Sequence, residues 1–361
     1  MDGTAATTLR QVADKQAIAN ILAMHSRGID RRDEAMVRSA YHEGATVAYG
    51  FFEGSAADFS RIVTQSTQGL PITSHRSHLP WIKADGDQAK SETYVIAYME
   101  LPLPGGATQC LIGGRYLDRL ERRGGEWRLV HRIYVLDWNI NQPSTVQWTE
   151  GLYGQVKARG GIGPEDPTHA LFAGWLDRAL PAAMASSVPS GADQQIADAV
   201  TRQALHDLVM AYSRGIDRCD EDLFSSIWHE GASVEYGVFD GDAHEFSRFI
   251  VPATRGLRRS AHCPSQERYE IRGDRAVGEV YVIAFATVPM ESGDEDSLIG
   301  GRYIDRYERR DGIWKIVHRI FALDWVVNQP GTAIWDGELY GPLTLRGGRG
   351  AEDPIGAFWA D

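Results

Sequence analysis

The chain has 361 residues, of which 43% are hydrophobic and 24% charged, and a net charge of −12. That length favours two domains, each able to bury its own core, and the acidic balance argues against nucleic acid or anionic membrane as partner. No basic start followed by an apolar run marks a signal peptide, and no apolar stretch approaches the ~18 residues of a membrane span, so a cytoplasmic protein is expected.

Apolar residues at helical spacing (Val12, Ala17, Ile18, Ile21, Leu22), with His25 in the same series, predict a helix from about Leu9 to Gly28. Gly28 closes it. Asp30 or Asp33 is placed to cap a second helix carrying Met36, Val37 and Tyr41, which His42-Glu43-Gly44 ends. Thr46-Val47-Ala48-Tyr49 reads as a short strand, and residues 56–68 as a third helix. The period then changes to two. Ser74–Ala84, Ala89–Leu101, Thr108–Arg122 and Trp127–Asn139 are rich in β-branched and aromatic residues, and glycine turns divide them. Gly113-Gly114 inside a strand pattern reads as a bulge that bends the sheet. Helices followed by an antiparallel meander make an α+β arrangement.

The chain then repeats itself. Ser26-Arg27-Gly28-Ile29-Asp30-Arg31 recurs letter for letter as Ser213-Arg214-Gly215-Ile216-Asp217-Arg218. The same offset carries His75 to His262, Ile112-Gly113-Gly114-Arg115-Tyr116 to Ile299-Gly300-Gly301-Arg302-Tyr303, and Val130-His131-Arg132-Ile133 to Val317-His318-Arg319-Ile320. It also carries Leu136-Asp137-Trp138 to Leu323-Asp324-Trp325, and Glu165-Asp166-Pro167 to Glu352-Asp353-Pro354. A constant offset means tandem duplication of one domain, not a solenoid of repeats of roughly 20–50 residues. The expected organisation is a first domain over 8–175, a small-residue linker over 176–195 and a second domain over 196–361. Cys110, Cys219 and Cys263 face Ser297, Arg32 and Arg76 in the other copy, so no disulfide framework is expected.

Both copies keep an Asp and a His: Asp30 with His75, Asp217 with His262. A carboxylate can fix the tautomer of an imidazole that then removes a proton from substrate; it can equally cap the next helix. Five positions before each Asp stands His25 in the first half and Tyr212 in the second, placed either to assist a leaving oxygen or to sit on the buried helix face. Tyr49 and Tyr236 end the short strands. His131 and His318 lie in the last strand of each half, where alternation separates His131 from Arg132 without saying which face lines the interior. Trp138 and Trp325, with Trp148 and Trp335 beyond, suggest aromatic walls. His75 and His78 point to opposite strand faces, and Ser265 replaces His78 in the second copy, so no metal site is expected. No Gly-rich loop joins a strand to a helix, so no nucleotide cofactor is expected either.

Gly28-Ile29-Asp30-Arg31, Leu111-Ile112-Gly113-Gly114-Arg115-Tyr116 and Tyr307-Glu308-Arg309-Arg310-Asp311-Gly312-Ile313-Trp314-Lys315 resemble the SnoaL-like branch of the nuclear transport factor 2-like superfamily. These stretches look like the corresponding ones of the lindane dehydrochlorinase relatives; bile-acid 7α-dehydratase and scytalone dehydratase are similar in outline. The resemblance covers each half nearly end to end. It implies two tandem cones, each of three helices on a strongly bent four-stranded antiparallel sheet around an apolar pocket. It also implies that Asp30–His75 and Asp217–His262 act as acid/base pairs, with Tyr212 or His25 helping the leaving group, His131 and His318 as further acid/base candidates, and an arginine near Arg122-Arg123 or Arg309-Arg310 assisting departure. Tyr49, Tyr236, Trp138 and Trp325 would contact substrate. The activity so implied is a cofactor-independent lyase that removes water, halide or formaldehyde from a hydrophobic, aromatic or alicyclic small molecule. A non-catalytic binding or assembly protein, or an isomerase, is the alternative, and self-association stays open.

Overall fold

The computed structural model describes residues 3–146, 149, 154–161, 165–168, 192–331, 333 and 349. Residues 176–191 of the expected linker lie outside them.

Each half begins with a long helix, α1 (Gly3–Asp30) or α4 (Ala192–Arg218), and the repeated hexapeptide ends it. Asp33 N–H reaches back to the Gly28 carbonyl at 2.9 Å across Arg32, which adopts a left-handed φ of 54°. Cys219 (φ 53°) and the 2.8 Å bond from Asp220 N–H to Gly215 O repeat this in the second half. Glycine is needed at Gly28 because α2 (Glu34–Ser39) crosses so closely that a Cβ would lie 2.8 Å from Val37. Asp33, not Asp30, caps α2 by accepting the Met36 N–H at 2.8 Å. The Asp30 carboxylate is thereby left for another partner.

The second helix is shorter than the sequence implies. Tyr41-His42-Glu43-Gly44, expected to finish it, instead open β1 (Tyr41–Ala48). This strand buries Tyr41, Ala45 and Val47 and is followed by β2 (Glu53–Ser55), α3 (Ala56–Ser66), β3 (Thr73–Ser77), β4 (Trp81–Asp85), β5 (Gln88–Leu103), β6 (Gly106–Arg123) and β7 (Glu126–Pro143). The second half follows suit with α5 (Glu221–Ser226), β8 (Trp228–Glu235), β9 (Asp240–Asp242), α6 (Ala243–Arg255), β10 (Arg259–Arg272), β11 (Arg275–Met290), β12 (Gly293–Arg310) and β13 (Ile313–Pro330).

The sheet orders are β2-β1-β7-β6-β5-β3, with β4 beside β5, and β10-β11-β12-β13-β8-β9. The expected four-stranded meander is present, but β1 and β8 extend it by pairing parallel to β7 and β13. The glycine pairs do mark bulges, with register shifts between Gly113 and Gly114 and between Gly300 and Gly301. At Gly300 a Cβ would meet the Trp325 ring at 2.0 Å, so the bend and the tryptophan require each other.

The halves meet through buried charge. From the first, Arg27, Arg31 and Arg76 project onto the outer face of the second sheet. Arg27 pairs with Glu279 (3.1 Å) and Arg76 with Asp324 (2.7 Å), while Arg31 donates to the Tyr281 hydroxyl (3.3 Å) and pairs with Asp166 (3.1 Å) of the first half's own arm. Arg302 sits at the centre, bonded to Asp166 (2.8 Å), Glu279 (2.7 Å) and Asp324 (3.0 Å). Beside this network Tyr98 stacks on Trp325, with ring centroids 4.8 Å apart. Trp325 is wholly buried there, not on a pocket wall as expected; its ring faces the other domain because it lies on the outer side of its sheet.

Burial alone would raise the acid groups of Asp166, Glu279 and Asp324. Guanidinium charge outweighs it and holds all three below their ordinary values: Arg302 and Arg31 at Asp166, Arg27 and Arg302 at Glu279, Arg302 and Arg76 at Asp324. Depressed folded values stabilise the joint above the ordinary carboxylate range, and that contribution is lost as pH falls through the folded values. Small-angle scattering should therefore show the halves docked at mildly acidic pH and separating only below about pH 4.

Candidate active site

The second cone holds a cavity of about 210 Å³ walled by apolar groups, among them Ile216, Leu257, Val282, Ala284, Ile299 and Phe321. His262, Tyr212, Tyr236 and Tyr303 bring polar atoms to it. The Asp217 carboxylate, at the end of α4, takes the His262 ring at Nδ1 (2.7 Å) and the His262 backbone N–H (2.7 Å) on its two oxygens. The double contact fixes position and tautomer together: Nδ1 carries the proton given to Asp217, and Nε2 is left as the basic atom. Burial opposes ionisation of Asp217, but the His262 ring and backbone N–H outweigh it and lower its pKa, so it is a carboxylate at neutral pH.

The Tyr212 hydroxyl bonds the Tyr236 hydroxyl at 2.7 Å. Burial raises the pKa of Tyr212, Tyr236 and Tyr303, which keeps these phenols protonated as donors. Beneath them lies Arg319, 4.3 Å from the Tyr212 ring centroid and 4.1 Å from that of Tyr303, clamped by Asp305 through two 2.6 Å bonds. Sequence reasoning passed over Arg319, although both copies carry it within Val-His-Arg-Ile.

The first half builds the same dyad. Asp30 bonds His75 Nδ1 at 2.6 Å and the His75 N–H at 2.8 Å. Its surroundings differ at His25, where the second half has Tyr212. Arg132 donates to His25 Nδ1 at 2.8 Å, and Nε2 meets the Tyr41 hydroxyl at 2.9 Å. Burial, then the Arg132 charge, then His75, hold this imidazole neutral. With both nitrogens committed to protein, His25 is a core group and not the leaving-group donor that was expected. Tyr49 stacks on Phe59 (4.3 Å between centroids), and burial pushes its pKa up to about 12.

Two other expectations are corrected. His131 and His318 lie on the sheet face away from the cones, bonded through Nδ1 to Thr46 (2.7 Å) and Ser233 (2.8 Å). Alternation puts Arg132 and Arg319 on the inner face, so their histidine neighbours must point out. The turn arginines are also engaged elsewhere: Arg122 with Asp14 and Asp87, Arg309 with Asp274, Arg123 with Glu121 and Arg310 with Glu308. None of these four contacts a dyad. The side chain of Trp138, and Trp148 and Trp335 altogether, lie outside the described residues. Among the described residues no three His, Cys, Asp or Glu side chains are grouped to hold a metal ion, and no helix is long and apolar enough to cross a membrane.

One wall of the second cavity comes from the first half. Val156 lines it, Lys157 pairs with Asp240, and Gly160 N–H donates to Leu323 O at 2.9 Å. Gly237 makes room for this arm: at φ +79° its Cβ would stand 2.0 Å from the Gln155 carbonyl oxygen. Gly237→Val should cost about 1–3 kcal/mol by overpacking and displacing the arm, read as a lower denaturant midpoint.

A bent sheet closed by helices over an apolar cavity, with an Asp-held histidine in its wall, defines an α+β cone of the small-molecule pocket type. The chain belongs to the SnoaL-like domain family, whose model matches residues 10–133 and 197–320. Among solved structures it is similar to the hexachlorocyclohexane dehydrochlorinase LinA-type3 from Novosphingobium barchaimii LL02, at 25% identity over 37% of this chain and 94% of that one, with a TM-score of 0.34. A type 2 LinA hexachlorocyclohexane dehydrochlorinase gives 22% identity over 39% and 96%, with a TM-score of 0.36. The Kfla4162 protein from Kribbella flavida gives 18% over 35% and 93%, with a TM-score of 0.33. No curated protein matches significantly.

Proposed function

We propose that the protein is a cofactor-independent lyase whose second cone eliminates water, or a comparable leaving group, from a hydrophobic hydroxylated small molecule. The observation that carries this reading is the Asp217–His262 pair set in the wall of an apolar cavity beside a protonated tyrosine pair. His262 Nε2 takes a proton from carbon while Asp217 stabilises the imidazolium through Nδ1–H. The electrons of that C–H bond form the new double bond as the C–O bond breaks. Tyr212 or Tyr236 donates its proton to the departing oxygen, which leaves as water, and the proton on His262 restores the phenol through solvent. The first cone keeps the base but has His25 at the donor position, so it contributes less to this reaction.

The test is a panel of hydroxylated aromatic and alicyclic compounds incubated with chelator-dialysed protein and followed by mass spectrometry. Loss of the mass of water from one chemical class, undiminished by the chelator, is the expected result. Binding without turnover would assign the cavity to a carrier, and activity restored only by a divalent ion would refute cofactor independence.

A further inference from the structure

The strand that carries His75, β3, is the last of the first sheet, so one of its edges has no strand paired to it among the described residues. The backbone of His75 and Ser77 is open on that edge. Asp30 takes the His75 N–H at 2.8 Å. Two further groups are met from the other half by a single side chain. Gln266 donates through Nε2 to the His75 carbonyl at 2.6 Å and accepts the Ser77 N–H on Oε1. Only this orientation of the amide satisfies both groups, because one must receive a proton and the other must give one. Arg76, between them, pairs with Asp324. Three consecutive residues of β3 are thus held by the second half.

Gln266 reaches β3 because β10 bulges. The register of β10 on β11 shifts between Pro264 and Glu267, so that Ser265 and Gln266 together stand against Tyr281. Ser265 Oγ closes the bulge on the Tyr281 carbonyl at 3.2 Å. The Gln266 side chain turns to the first half and is buried there, as is Ser77. The brace runs one way only. At the offset of the repeat Gln266 answers to Leu79, which is exposed, and Ser77 answers to Pro264, which has no N–H to satisfy. The strand that carries His262 therefore lacks the donor that Gln266 meets on β3.

We propose that Gln266 is a positioning residue for His75, so that the first cone's Asp–His pair is set from the second half. The second cone takes Val156 from the first half; the first takes Gln266 from the second. Gln266 bears on catalysis only if Asp30–His75 acts as the acid/base pair of the proposed reaction. Its effect on the imidazole does not depend on that. His75 is fixed on one side by Asp30, at the ring and at the N–H, and on the other by Gln266 at the carbonyl. Without Gln266 the His75 carbonyl and the Ser77 N–H are left unpaired at a buried joint, and the strand must shift to satisfy them. Asp30 then loses the double contact that keeps the proton on Nδ1.

Nitrogen NMR of the full chain, with ¹⁵N in the histidine rings, tests this without a substrate. The signals of His75 and His262 are assigned by their loss in His75→Ala and His262→Ala. At a pH where both rings are neutral, wild type should show a protonated Nδ1 and a bare Nε2 for each. Gln266→Leu, which copies Leu79, should move the two nitrogen signals of His75 toward each other as tautomers mix, and leave those of His262 in place. Arg27→Gln, which weakens the joint at Glu279 without touching β3, should leave both rings unchanged. Circular dichroism confirms folding; Gln266→Glu, which keeps an acceptor for Ser77 but no donor for His75, carries the test if Gln266→Leu does not fold. A His75 signature unmoved in the Gln266 variant, or lost equally in Arg27→Gln, would overturn the proposal. On an active substrate, adding Gln266→Leu to His262→Ala should lower the residual elimination at least about tenfold. A shifted tautomer with an unchanged residual rate would uphold the brace and remove the first cone from the proposed reaction.

Discussion

His262→Ala is expected to lower turnover by about 100-fold or more, the usual scale for removing a general base. Asp217→Asn is expected to fall nearly as far for a different reason. An amide still accepts the His262 backbone N–H, but it no longer balances the imidazolium formed when Nε2 takes the proton, and it can present its own N–H to Nδ1 and reverse the tautomer. The matched changes His75→Ala and Asp30→Asn should cost less, because the donor position beside them is His25, whose nitrogens are held by Arg132 and Tyr41. Steady-state rates of the four variants on one substrate separate the halves.

The second large effect is on stability. Arg302→Ala should destabilise the protein by about 3–5 kcal/mol, the range for removing one member of a buried ion network. Asp166, Glu279 and Asp324 all bond this guanidinium and are themselves buried, so its loss takes one buried arginine from each and leaves Arg31 at Asp166, Arg27 at Glu279 and Arg76 at Asp324. Arg123→Ala breaks the exposed pair with Glu121 and should cost under about 1 kcal/mol. Denaturant midpoints for the two variants at neutral pH give the comparison. At a pH low enough to protonate the three carboxylates the Arg302→Ala penalty should shrink, since neutral acids no longer need the arginine.

Much of this was legible because the chain states it twice. The hexapeptide at Ser26–Arg31 fixed attention on Asp30, and its physical content is now divisible residue by residue. Gly28 admits α2, Ile29 is core, Asp30 holds His75, and Arg27 and Arg31 reach Glu279 and Tyr281 of the other half. The arginine role escaped sequence reading because its carboxylate partners come from the other domain and from the arm at Asp166. The place of Trp325 is not legible because an aromatic at a domain joint and one in a cavity look alike in sequence. The face of the last strand was undecidable at His131 because both faces mix polar and apolar groups; only the cation–ring packing of Arg132 and Arg319 settles it. Val156 gave no signal, since a wall residue lent across domains obeys no local period. The parallel pairing of β1 was hidden by Glu43 and Gly44, which read as the end of a helix.

Histidine-dependent elimination is tested most directly by measuring product mass from an active substrate with wild type, each single variant and the double variant His75→Ala/His262→Ala. Elimination should persist in His75→Ala, fall by about 100-fold or more in His262→Ala and vanish in the double variant. Product formed by a folded double variant at the wild-type rate would contradict the account.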